Sequence, residues 1–244
     1  MKVLITGGTG FVGSNLTRSL LDKRHQVVAI GRSEPQRRFG TEDYQFVAAD
    51  TTRQGPWQEG LADAGAVVNL AGVSIFKRWT AKYKQQIYNS RILTTRNIVE
   101  ALPSGTKVIL CSASGAGYYG NRGDAVLDEG EKAGSDFLAG VSVDWEEEAL
   151  RAGAKGARVA LMRFGVVLGK NGGAMSKLMP AFKLFVGGPL GDGHQWFPWL
   201  HLDDLLAAII FVLEHSEVNG PLIFCAPNPV RNRELAQALG AALS

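Results

Sequence analysis

Short apolar runs recur along the chain, each too short for a helix and apolar on both faces: Val3-Leu4-Ile5, Val27-Val28-Ala29-Ile30, Phe46-Val47-Ala48, Ala66-Val67-Val68-Asn69-Leu70, Val108-Ile109-Leu110 and Val159-Ala160-Leu161. Such runs read as strands of a parallel sheet with helices on either side. Between most of them the pattern becomes helical, over about 11–23, 58–64, 79–102 and 137–152. Strand and helix alternating in this way predict an α/β fold with a doubly wound parallel sheet. After Arg163 the alternation loosens into glycine-rich stretches, Gly169 to Gly173 and Gly187 to Gly193, around an apolar segment from Met175 to Val186. Asp203-Asp204 then lead a clear helix through Leu205 to His215, with the acids at its positive end. The expected division is a main domain over 1–168, rejoined by about 196–224, and a small C-terminal lobe from 169–195 and 225–244.

The first strand runs directly into Gly7-Gly8-Thr9-Gly10-Phe11-Val12-Gly13 and then a helix. In a dinucleotide turn Gly7 permits the tight bend, Gly10 lets the backbone approach a pyrophosphate, and Gly13 lets helix and strand pack closely. Thr9, Phe11 and Val12 complete the turn, and the pyrophosphate rests on the helix N-terminus. The plain alternative is a tight turn with no ligand; the strand-turn-helix context favours the cofactor and makes the sheet Rossmann-like. The second strand ends Ile30-Gly31-Arg32-Ser33. An acid there would hold a ribose hydroxyl, whereas an arginine accepts a 2′-phosphate, so Gly31 and Arg32 point to NADP(H). Glu34, two residues on, is the acid that could reverse this reading and leave Arg32 merely solvated.

Composition narrows the class. With 244 residues, 45% hydrophobic and 20% charged, the chain is an ordinary globular protein of one large domain, or one with an appendage. Its 30 glycines among 244 residues, about 12% against a usual level of about 7%, are not periodic and so mark turns or close backbone approaches. A net charge of +3, with lysine and arginine spread along the chain, gives no reason to expect a nucleic acid partner. Cys111 and Cys225 lack any CxxC or histidine neighbour, so neither a metal site nor a disulfide is expected, and a reducing cytoplasm is. The first residues enter a strand and a glycine turn at once, so no signal sequence is expected, and the longest apolar run, Leu205 to Leu213, is too short to span a bilayer.

Periodicity singles out one residue. With Ile87 at the centre of the apolar face of the long helix, Ile98, Leu102 and Tyr83 fall within about 60° of it, and so does Arg91. A guanidinium on an apolar face needs an anion or a route to water. Arg91 therefore either forms an internal ion pair or snorkels to water, or it meets the cofactor or an anionic substrate.

At these residues the chain resembles the short-chain dehydrogenase/reductase superfamily, nearer its extended epimerase/dehydratase branch. The likeness continues through Asp50, Asn69-Leu70-Ala71-Gly72, Ser112-Ala113-Ser114, Arg163 and His201-x-Asp203-Asp204. More narrowly, Arg78-Trp79, Ser90-Arg91, Gly117-Tyr118-Tyr119-Gly120, Gly187-Gly188-Pro189-Leu190-Gly191 and Trp196-Phe197-Pro198-Trp199 resemble its "epimerase family protein" subgroup, some of whose members carry a cell-division label. The resemblance implies cofactor contacts from Asp50, Leu70, Ala71, Gly72, Arg91 and Arg163, and a longer C-terminal substrate region within which this chain stops. It also implies a catalytic tyrosine and a lysine four residues later, where this chain has Phe137 and Val141. Neither can move a proton. Ser114 matches the family serine that holds a substrate oxygen, and Tyr118 or Tyr119 is the candidate for a displaced acid.

Two readings follow. One is an NADP(H)-dependent oxidoreductase or epimerase-like enzyme on a small carbonyl, hydroxyl or sugar-type substrate. The other is a non-catalytic NADPH-binding regulator that presents a surface to a protein partner or a second copy of itself.

Overall fold

The computed structural model describes residues 1–35 and 39–243. The chain runs β1 (Lys2–Thr6), α1 (Phe11–Asp22), β2 (Gln26–Gly31), β3 (Tyr44–Ala48), β4 (Ala66–Asn69), α2 (Ala81–Ala101), β5 (Ile109–Gly115), α3 (Phe137–Leu150) and β6 (Arg158–Phe164). Then come β7 (Val166–Leu168), α4 (Met175–Lys183), β8 (Trp196–Phe197), β9 (Trp199–His201), α5 (Leu202–Glu214), β10 (Gly220–Phe224), β11 (Val230–Arg231) and α6 (Asn232–Leu243). All the strands expected up to Leu161 are present, and with β10 they form a seven-stranded sheet in the order β10-β6-β5-β4-β1-β2-β3. Every neighbouring pair is parallel. The chain winds one way from β1 to β3 and the other way from β4 to β6, which opens a crevice beyond the strand ends at β1 and β4.

Strand pleating builds the two core layers. In β1, Val3 and Ile5 face the layer that holds Leu16 and Leu20 of α1 and Leu205 and Ile209 of α5. Leu4 faces the opposite layer with Ile98 and Val99 of α2 and Ala149 of α3. Full burial of each such side chain contributes about 1.5–3 kcal/mol. His201 starts α5 as a cap, its Nδ1 accepting from the Asp203 N–H at 3.3 Å.

The expected helix at 58–64 is instead a 3₁₀ turn over Pro56–Leu61. Six residues are too few to repay α-helix nucleation, and the short turn suffices to bury Trp57 and Leu61. The long helix begins at Ala81 because the Thr80 hydroxyl accepts from the Tyr83 N–H at 3.1 Å. The helix expected to reach 152 ends at Leu150 and continues as a 3₁₀ turn to Lys155, closed by Gly156 at φ +94°. Toward the C-terminus α4 packs on α6 and β11 pairs antiparallel with β8, so segments on either side of α5 and β10 meet. Among the described residues no helix is long and apolar enough to cross a membrane.

Candidate functional site

The crevice begins at the glycine turn. Gly7 adopts φ +70°, and a Cβ there would lie 2.8 Å from the Leu70 carbonyl oxygen, so β1 and β4 approach as only glycine allows. A Cβ on Gly13 would run into the Gly7 carbonyl, which is the close helix-turn packing expected of it. Gly10 is the N-cap of α1 with extended backbone and no side-chain cap. The first-turn N–H groups of Phe11, Val12 and Gly13 therefore have no intrahelical acceptor and form a site for an anion.

From this turn a groove of about 210 Å³ runs along the strand ends. Nine residues singled out in the sequence line it: Gly7, Thr9, Gly10, Gly31, Arg32, Asp50, Leu70, Ala71 and Gly72. Thr9 packs against Gly31, where a Cβ would meet its Oγ1 at 2.5 Å. Thr52 donates to the Asp50 carboxylate from its hydroxyl (2.7 Å) and its N–H (3.1 Å). The hydroxyl bond holds the Asp50 pKa below its usual value, against partial burial and with help from the charge of Arg32. Glu34 does not line the groove. Burial, followed by the charge of Glu34, raises the Tyr44 pKa. Sequence reasoning missed Thr51, Thr52 and Thr94 on the groove wall and quoted Ser90 only for the resemblance; no spacing rule distinguishes such threonines from helix or loop filler.

Phe11, Val12, Gly13, Arg91 and Arg163 do not line the groove. The Phe11 ring lies under the loop expected to carry substrate contacts, and Cβ atoms at Gly169, Gly172 and Gly173 would all press on it. Arg91 sits behind the groove wall. Its guanidinium donates to the carbonyls of Ile87 (3.0 Å) and Val73 (3.3 Å) and packs over the Trp145 ring at 5.2 Å. Among the described residues it has no carboxylate partner, so no internal ion pair forms there, and burial lowers its pKa to about 10.

Across the crevice, at the ends of β5 and β6, the other candidates meet each other. Ser114 and Arg163 are direct neighbours in the sheet. The Ser114 hydroxyl donates to Glu146 Oε1 at 2.6 Å, and Arg163 binds the same carboxylate through two nitrogens, at 2.9 and 2.7 Å. Arg163 also donates to the Tyr119 hydroxyl (2.8 Å) and the Glu129 carbonyl (3.1 Å), and lies 3.6 Å from the centre of the Tyr118 ring. Ser114, Tyr119, Glu146 and Arg163 are all under 7% exposed. Burial works against the Arg163 charge, but the bonds to Glu146 and Tyr119 outweigh it and raise the pKa. Arg163 is thus occupied inside the protein, at a carboxylate and a loop carbonyl. Burial raises the Tyr119 pKa despite Arg163, so this phenol is a poor proton donor near neutrality. Glu146 was hidden in the run Glu146-Glu147-Glu148, which reads as a solvated face. The available signal was Arg163 itself, a cation ending a buried strand and requiring an anion.

Phe137 opens α3 and packs edge-on against Trp79 at 5.5 Å, while Val141 is buried. The tyrosine-lysine pair is absent at these positions, as the sequence indicates. Tyr118 is half-buried on a 3₁₀ turn over Ala116–Tyr119, and among the described residues its hydroxyl has no hydrogen-bond partner.

Residues 3–224 match the model of the NAD dependent epimerase/dehydratase family. The chain belongs to this family. Within it, the chain is 40% identical over 250 residues to the "Epimerase family protein SDR39U1 homolog, chloroplastic" of Arabidopsis thaliana, covering 100% of this chain and 71% of the relative. It is 36% identical over 247 residues to the epimerase family protein ML0860 of Mycobacterium leprae, covering 99% and 77%. Among solved structures, human epimerase family protein SDR39U1 with NADPH superimposes at a TM-score of 0.82 with 34% identity, covering 100% of this chain and 80% of that one. The seven-stranded parallel sheet and glycine turn are thus those of an NAD(P)-binding epimerase-family fold.

Proposed function

We propose that the chain binds NADP(H) along the groove and acts as an oxidoreductase or epimerase-like enzyme on a small carbonyl, hydroxyl or sugar-type substrate. The observation that carries the cofactor choice is Arg32 on the groove wall, which Glu34 does not line. The cradle around Gly7, Gly10 and Gly13, which side chains would fill, fits a pyrophosphate on the uncapped start of α1. The NADPH bound to human SDR39U1, at 34% identity, supports the same choice.

NADPH, when bound, supplies a hydride. The chain's own residues must position the substrate and move a proton. Ser114 has committed its only hydrogen to Glu146 at 2.6 Å, so its oxygen can accept a hydrogen bond but cannot donate one to a carbonyl. Tyr119 is buried against Arg163. Tyr118, whose hydroxyl has no hydrogen-bond partner among the described residues, is the residue of this set suited to give or take the proton. A non-catalytic, NADPH-dependent regulator is the second reading, favoured by the locking of Ser114 and Tyr119 into the buried network.

The test has two stages. Titrations followed by nicotinamide fluorescence should show tighter binding of NADPH than NADH, with Arg32→Ala removing the difference; equal affinities in the unaltered chain would overturn the cofactor choice. NADPH oxidation against a carbonyl panel should then be detectable and be lost in Tyr118→Phe with NADPH affinity intact. Tight binding without turnover or hydride exchange selects the regulator.

A further inference from the structure

Each of α1, α2, α3, α5 and α6 buries residues, but α4 buries none. Its Met175, Leu178, Met179 and Phe182 form one stripe at helical spacing, and the helix rests on α6. A turn closed by two bonds ends it. The Phe185 N–H donates to the Phe182 carbonyl at 2.9 Å and the Val186 N–H to the Ala181 carbonyl at 3.0 Å. Such a turn needs a left-handed residue just past the helix, and here that residue is Phe185, at φ +56°. Glycine is usual there, yet the glycines of this segment follow only at 187 and 188. The backbone thus holds a bulky side chain in a conformation that such residues rarely adopt. Little packing is gained in return. Leu184, Phe185 and Val186 are 71%, 84% and 76% exposed, and Leu190 beyond the glycines is exposed too.

The charge around this apolar tip has one sign. Residues 169–191 contain Lys170, Lys177 and Lys183 and no acid, and residues 226–243 add Arg231 and Arg233 against Glu234 alone. Arg231 pairs with Asp124. Among the described residues the three lysines have no carboxylate partner. Lys183 adjoins Leu184 in the chain, and Lys170 borders one groove with Lys183. Lys177, seven residues before Leu184, lies on the same helical stripe about 10 Å away. A tip of three consecutive apolar residues among unneutralised lysines matches a surface that is anionic outside and apolar beneath. A second copy of the chain, docked through the same tip, would set these lysines against one another.

We propose that α4 and its closing turn dock the protein on an anionic lipid surface, with Leu184, Phe185 and Val186 entering the interface and Lys170, Lys177 and Lys183 lying against the headgroup phosphates. Such docking needs no spanning helix. One short apolar anchor with a few cations makes it reversible and sensitive to salt. It depends neither on the cofactor nor on the reaction.

The test sediments the full chain with vesicles of phosphatidylcholine alone and with vesicles of two parts phosphatidylcholine to one part phosphatidylserine. Binding is expected on the mixed vesicles only, and added sodium chloride should release it. Leu184→Ser/Phe185→Gly/Val186→Ser should abolish binding without lowering the melting temperature, since glycine suits the left-handed position. Lys170→Gln, Lys177→Gln and Lys183→Gln should each weaken partitioning about fivefold. In Phe185→Trp the emission gained over the parent should shift to the blue on mixed vesicles, as the tip leaves water. The inference is overturned if mixed vesicles bind no more protein than phosphatidylcholine alone, if the triple variant binds like the parent, or if the added tryptophan emission does not shift. Self-association in sedimentation velocity in place of vesicle binding, lost in the triple variant, would assign the tip to a second copy. Binding of polyglutamate but not of vesicles would assign it to an acidic protein, and either result overturns the lipid surface.

Discussion

The two halves of the crevice are built on opposite principles. Over β1 to β3 the wall is mostly backbone and small side chains, with glycines where a Cβ would collide and first-turn N–H groups left open. Over β5 and β6 the corresponding positions hold large polar side chains bonded to one another, and Ser114, Tyr119, Glu146 and Arg163 are almost wholly removed from solvent. One half is prepared for a ligand and the other satisfies its own polar groups. The cofactor half can therefore stay intact in a chain whose proton-transfer pair has been replaced by Phe137 and Val141, because the two share few side chains.

The contrast can be broken most sharply at Glu146. Glu146→Leu leaves Arg163 buried without its anion, which should lower stability by about 3–5 kcal/mol and the melting temperature by about 10 °C. Adding Arg163→Met should recover most of the loss, whereas Arg32→Ala on the open wall should leave thermal unfolding near the parent. Equal effects from Glu146→Leu and Arg32→Ala would erase the distinction between the halves. Next in size, Gly13→Ala should weaken NADPH binding by about tenfold or more, because the added methyl must push the Gly7 carbonyl out of the turn; isothermal titration would reveal it. Arg91→Ala should weaken NADPH severalfold by releasing the Val73 carbonyl behind the groove, and an affinity equal to the parent's would show that the wall holds without it. The smallest effect concerns pH. Burial raises the Tyr119 pKa above its unfolded value of about 10. The stability it contributes is complete below pH about 10 and lost as pH climbs toward the folded value. Tyr119→Phe should flatten that alkaline decline in melting temperature, and a parallel decline in parent and variant would remove Tyr119 as its source.

The legibility of the sequence follows the same division. Gly7, Gly10, Gly13 and Arg32 could be read because backbone geometry and charge dictate residue type at fixed offsets from a strand end. Phe137 and Val141 were informative for the converse reason, since neither side chain can transfer a proton. The Ser114-Glu146-Arg163 contact could not be read, because it depends on β5 lying beside β6 and on the face of α3 that meets them. Glu146 and Glu148 are buried while Glu147 between them is exposed, so a run of identical residues serves two environments. The turn at Pro56–Leu61 stands where a helix over 58–64 is expected, because the segment is too short for an α-helix to propagate.

The ring of Phe11 under Gly169, Gly172 and Gly173 has a consequence for how the protein is made. The helix that begins at Phe11 emerges early from the ribosome, but the loop that covers its first residue is synthesised only after six strands of the sheet. N-terminal segments form first during synthesis, and contacts between residues distant in sequence carry the largest closure entropy. The dinucleotide turn therefore acquires its final packing only once Gly173 has been made, and a nascent chain released before the loop is made would expose Phe11 at the cofactor's doorstep.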